Sequence, residues 1–147
     1  MDVKTTIESK ISSLLRENQT LKNEREEIEK KFETKIDDIF REFLTVIDTF
    51  DRAEQVIKEK EWVQNDNAQK AVNRLLNAKK KALFVFEKYS VNKIVFEDNH
   101  SIEELCEVSG TEPDSSKQEG DIVAIEKEGY TRNGHLLRPA EVIIVKN

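Results

Sequence analysis

The sequence predicts an α+β protein: long parallel paired helices and a dimeric four-helix bundle, followed by a small, mostly β C-terminal domain. Three observations predict it. All four Gly and both Pro of the 147 residues lie after position 109, so Met1 to Ser109 holds no strong helix breaker. Apolar positions up to Ile57 recur at steps of three and four. After Val91 the apolar period falls to two, and a hairpin signal stands at Asn133-Gly134.

The first element is a rod. Ile7, Ile11, Leu14, Leu21, Ile28, Phe32, Ile36, Ile39, Phe43, Val46, Phe50, Ala53 and Ile57, with Asn18 and Arg25 filling two gaps, form one stripe. An 11-residue spacing from Ile28 to Ile39 is a stutter that unwinds a left-handed supercoil. The helix is therefore expected to run nearly straight for about 80 Å. So narrow a stripe needs a partner helix, and a second copy of the chain is the simplest source. Ile11, Asn18, Leu21, Ile28, Phe32, Ile39, Phe43, Val46 and Phe50 are the expected seam. Asn18 has two readings: a register-setting pair in a parallel dimer, or a weakly paired helix end.

The rod, residues 1–62, is expected to stop near Trp62. Asn65-Asp66-Asn67 reads as a loop with Asn67 as a possible N-cap. A second helix, within residues 63–91, carries Ala68, Val72, Leu75, Ala82, Leu83 and Phe86 on one side and ends near Tyr89-Ser90. Two helices per chain, doubled, make a four-helix bundle with Leu83 and Phe86 in the dimer contact. Its core is expected to draw on Phe43, Ile47, Phe50, Leu75, Leu76, Leu83 and Phe86.

Residues 92–147 make the β part. Strands are expected at Ile94 to Phe96, Glu104 to Val108 and Asp121 to Lys127, with two more flanking Asn133-Gly134 and running to Lys146. Gly110 to Gly120 reads as a polar loop. A domain this small is near the limit of independent stability, so docking on the bundle should help it. The paired helices and the β part are expected to share few contacts and to melt separately.

Composition narrows the function. The net charge is −6. From Asp98 to Glu128 there are ten acids and two Lys, a net of −8, which leaves +2 elsewhere. That balance argues against nucleic acid or an anionic membrane as partner. One cysteine, Cys106, excludes an internal disulfide and fits a reducing compartment. With no apolar signal core and no membrane-length apolar run, a soluble, cytoplasmic protein is expected.

Nothing in the pattern reads as catalytic. His100 and His135 lie in separate loops or turns, and Cys106 falls within a strand, the ordinary place for a small buried apolar residue. No ligand cluster has metal-binding spacing, and the glycines are too few for a phosphate cradle. The expectation is a non-enzymatic protein without cofactor or metal that binds other proteins.

Two stretches carry a resemblance. Phe43 to Glu54 reads FLTVIDTFDRAE, and the tail reads GYTRNGHLLRPAEVIIVK from Gly129. In that order, after a breaker-free helix and with KKALFVFEKYSV between, the sequence resembles the GrpE family, nucleotide exchange factors of DnaK-type chaperones. The resemblance implies a homodimer with a helical stalk, a four-helix bundle and projecting β domains. One of these engages the chaperone's nucleotide-binding domain and favours an open cleft, so that ADP leaves. It also implies partner contacts at Glu126, His135 and Ile144, with Tyr130, Arg138 and Arg52 as further candidates. Arg138 is open to an internal ion pair with the acidic segment instead, and Arg52 to a pair on the helix surface. The sequence departs from the family where an apolar residue is common at Glu126, Arg at His135 and Gly at Ser90. A dimeric coiled-coil scaffold whose β domain binds an unrelated protein is the alternative.

Overall fold

The computed structural model describes residues 2–147. Two helices, α1 (Val3–Glu59) and α2 (Asp66–Lys88), precede six strands: β1 (Val91–Lys93), β2 (Cys106–Glu112), β3 (Ile122–Lys127), β4 (Tyr130–Arg132), β5 (His135–Arg138) and β6 (Ala140–Val145). This is the expected α+β architecture. The chain divides into two compact units, one ending at Ile39 and the other spanning Phe40–Asn147.

The first unit is helix alone. Ile7, Ile11, Leu14, Leu21, Ile28, Phe32 and Ile39 of the expected seam are all exposed, as is Asn18. Two side-chain pairs run along the helix: Arg25, in the stripe, donates to Glu29 at 2.8 Å, and Gln19 to Asn23 at 2.9 Å. Each joins residues one turn apart on the exposed helix surface.

The second unit contains the core. Leu44, Ile47, Phe86, Val91, Tyr130 and Leu137 are buried together, with Phe40, Ala82 and Leu83 packed against them. The buried stripe on α1 is thus Phe40, Leu44 and Ile47, one residue beyond the stripe of Ile39, Phe43 and Val46. Leu44 is 0% exposed and its neighbour Phe43 is 56% exposed. One helix segment therefore carries two apolar faces about 100° apart, one filled by its own chain and one open. Of the residues expected in the bundle core, Ile47 and Phe86 are buried within the single chain. Phe86 fills the chain's own core, edge-on to Phe40 at 5.4 Å, and Leu83 packs beside it. Leu75 is exposed. The helices and the β part nonetheless meet in one core, because Val91, Tyr130 and Leu137 are buried with Leu44, Ile47 and Phe86.

The helix connection differs in detail from the sequence reading. Asn65, not Asn67, is the N-cap: its backbone is extended and its side chain accepts from the Ala68 amide at 2.9 Å. α1 ends three residues before Trp62, which is exposed. At the end of α2, Ser90 adopts a left-handed φ of 59°. Its carbonyl accepts from the Asn133 amide at 3.1 Å, which secures the chain reversal without glycine.

The strands form two three-stranded sheets, ordered β1-β4-β5 and β2-β6-β3. The first is antiparallel throughout. In the second, β6 pairs parallel with β2 and antiparallel with β3. Asn133 and Gly134, at φ 50° and 80°, close the β4–β5 hairpin as a two-residue turn, as expected. β1 lies three residues earlier than expected because Val91 to Lys93 pairs with Arg132 to Tyr130; Ile94 and Phe96 go to the core without being strand. β2 runs on through Gly110 to Glu112 because a bulge between Val108 and Gly110 keeps it in register with β6. The expected loop therefore opens at Pro113. Ile122, Ala140 and Val142 make the second core, joined by Phe96, Cys106 and Ile144.

Two substitutions test this packing. Leu44→Ala should cost about 2–5 kcal/mol in denaturant unfolding, the range for a fully buried Leu. Gly129→Ala should be strongly destabilising, since a Cβ there would lie 2.5 Å from the Ala140 amide nitrogen, which is backbone that cannot step aside.

Candidate partner-binding surface

The second unit carries an open groove of about 810 Å³ between α1 and the β2-β6-β3 sheet. Asp48, Asp51, Arg52, Gln55 and Lys58 line it from α1, and Ala124 to Glu128 line it from β3 and the residue after it. β3 is an edge strand, so its backbone borders the groove. Charges of both signs line the walls, which suits a polar protein surface better than a small apolar ligand.

Most of these charges are already paired. Lys79 of α2 stands 2.6 Å from Asp51 and 3.0 Å from Glu54, and Lys58 stands 3.2 Å from Glu54. Partial burial pulls the Lys79 pKa down, but its hydrogen bonds to Asp51 and Glu54 outweigh that and leave it raised. The hydrogen bond from Lys79, with that from Lys58, holds Glu54 below its usual value. Lys127 reaches Glu141 at 3.4 Å. Glu126 accepts the Ser109 hydroxyl at 2.6 Å, which fixes its carboxylate on the rim. Arg52 differs: among the described residues it makes no ion pair, and it is exposed.

Of the six residues expected to meet a partner, two come together here. Arg52 on α1 and Glu126 on β3 line the same groove. His135 stands apart and exposed beside the hairpin turn, opposite Arg132 in the β1-β4-β5 sheet. Ile144 lies on β6 among residues of the second core, while its neighbour Ile143 lines the groove. Tyr130 and Arg138 are inside the fold. Tyr130 is 2% exposed. The Arg138 guanidinium takes the Asp48 carboxylate in a two-pronged pair at 2.7 and 2.8 Å and donates to the Glu128 carbonyl. Those donors are committed within the chain, so the internal ion pair is realised, with α1 rather than the acidic segment. Asp48 is the residue sequence reasoning missed. The signal was present, since both halves of the pair lie in the two stretches that carry the family resemblance.

The profile of the GrpE family matches residues 2–146. The chain belongs to the GrpE family. No curated protein matches it. GrpE members are cochaperones, not enzymes, with a general role in nucleotide exchange by DnaK-type chaperones and in the stress response. No helix among the described residues is long and apolar enough to cross a membrane. Among these residues no group of three His, Cys, Asp or Glu is placed to hold a metal ion.

Burial raises the Tyr130 pKa from 10.0 to about 12, with the Asp51 and Glu128 charges adding to the effect. A raised pKa means the unfolded chain loses this proton first, so stability should fall as pH climbs from about 10 towards 12. Ultraviolet titration of the wild type against Tyr130→Phe should find this phenol ionising well above pH 10. Ionisation near 10 in folded protein would contradict its burial.

Proposed function

We propose that this GrpE protein acts as a homodimer that binds the nucleotide-binding domain of a DnaK-type chaperone and promotes ADP release. The single observation that carries the reading is the match along nearly the whole chain, residues 2–146, to the exchange-factor family. The exposed apolar stripe supports pairing, because Ile11, Leu21, Ile28, Phe32, Ile39, Phe43 and Val46 are covered by nothing in their own chain. Phe50, half-buried, continues that stripe.

The mechanism is a shift of population. A factor that binds the open chaperone cleft more tightly than the closed one multiplies the open-to-closed ratio, at saturation, by the ratio of the two affinities. It needs a firm surface, since a loose one would lose ordering entropy on contact. Arg52 and Glu126 supply complementary charges on the groove, and His135 and Leu136 supply an exposed edge at the hairpin. His135 offers fewer donors than the Arg common there in the family, and Glu126 replaces an apolar residue, so the chaperone served should present a basic or hydroxyl-bearing patch opposite Glu126.

Stopped-flow release of labelled ADP from a DnaK-type chaperone tests the reading. Micromolar wild-type protein should accelerate release, and Arg52→Glu should raise the half-saturating concentration about tenfold, as expected for an exposed cation turned repulsive at a rim. No acceleration and no complex on gel filtration would favour a scaffold for an unrelated protein. Sedimentation should give a dimer, and Phe43→Ala should weaken it in a concentration-dependent way while sparing the intrachain core.

A further inference from the structure

One guanidinium ties together four segments of the second unit. Arg138 ends β5. Its Nη1 and Nη2 donate to Oδ2 and Oδ1 of Asp48 on α1. Its Nε and Nη2 also donate to the Glu128 carbonyl, at 3.1 and 2.7 Å, where the chain passes from one sheet to the other. Its Cζ lies 5.6 Å from the centre of the Tyr130 ring on β4. The pair is well sheltered, with side-chain exposures of 14% and 24%.

The same stretch of α1 holds the neighbouring residue. Arg41 Nε donates to the Leu137 carbonyl at 2.9 Å. Leu137 itself is buried in the cluster that contains Leu44. Arg41, Leu44 and Asp48 are spaced at three and four, so they lie along one side of the helix. They thus grip two consecutive residues of β5 by two polar contacts and one apolar one. Arg138 is followed directly by Pro139 and then β6, so the grip sits where β5 hands over to the second sheet.

A two-pronged pair fixes orientation as well as distance, whereas apolar packing of Leu44 on Leu137 permits sliding and rocking. We propose that Asp48 and Arg138 are positioning residues for nucleotide exchange: they lock the hairpin and both sheets to α1, so that a load on the β surface passes to the helix instead of being absorbed by rotation. The proposal rests on the exchange-factor reading above. It assigns these two residues no contact with the chaperone.

A loosened β surface still offers the same side chains, so the chaperone should still be bound. What falls is the preference for the open cleft. The test compares wild type, Asp48→Asn, Arg138→Lys and the double variant by ADP release across a range of factor concentrations, well below the unfolding midpoint. Circular dichroism checks the fold. The expected result is a limiting release rate about tenfold lower in each single variant, with the half-saturating concentration moved by less than about threefold. Arg138→Lys keeps the charge and loses the fork, and the double variant should be no worse than either single one. Proton–nitrogen NMR of the wild type should show separate, slowly rotating Arg138 Nη–H signals, which merge in Asp48→Asn.

Folded variants with wild-type limiting rates would overturn the proposal and leave the exchange reading standing, as would freely averaging Arg138 signals in the wild type. Unfolding of both single variants would make the pair a determinant of the fold and would also overturn the positioning role. Wild-type protein that gives no acceleration would overturn the exchange reading first, and the positioning role with it.

Discussion

The contact between α1 and β5 is the constraint on which the second unit depends. Leu44, without exposed surface, packs in one cluster with Leu137, and Asp48 takes Arg138 one turn further along. A β part of about 50 residues cannot bury enough apolar surface to stand alone comfortably. Here it does not have to, because Val91, Tyr130 and Leu137 complete a core begun by two helices. The sheets therefore take their orientation from the helix surface as well as from their own hydrogen bonds.

This arrangement gives α1 two duties over the same dozen residues. Phe40, Leu44 and Ile47 face inward, and Phe43 and Val46 face out. A helix with apolar residues on two adjacent faces is costly to leave in water, and the exposed face is the strongest physical argument for a second copy of the chain. Pairing and docking of the β part are then two uses of one rigid element. The proposed function needs both: a dimer, and a firm surface presented to the chaperone.

The groove shows how the charges are allotted. Asp48, Asp51 and Glu54 point towards the β part or α2, and each meets a cation of its own chain. Arg52, between them in sequence, turns out on the helix surface and meets none among the described residues. Glu126 is steadied by Ser109 without being neutralised. In the proposed reading, a partner meets a small set of charges on a wall whose other charges are spent on holding it still.

Much of this was legible in the sequence, and the misses have physical causes. The rod, the second helix and the Asn133-Gly134 turn follow from local rules: period, missing breakers, and φ preference. The outer apolar stripe was visible because it is long. The inner stripe of Phe40, Leu44 and Ile47 was not, because a short stripe one residue from a long one is hidden beneath it. The parallel pairing of β2 with β6 joins residues over thirty apart, and no local pattern encodes such a partner. β1 slipped for the same reason: its ends are set by Tyr130 to Arg132, not by its own residues. Arg138 was open between partner and internal pair because its mate, Asp48, lies 90 residues earlier in the chain.

Native-state hydrogen exchange on the 147-residue chain tests the central claim most directly. If the inner face of α1 is the base on which the β part is built, amides of residues 42–50, of residues 82–86 and of β4 and β5 should open together, with one shared free energy. Amides of β4 and β5 that open far more readily than those of residues 42–50 would contradict the claim, because the sheets would then fold and unfold without the helix.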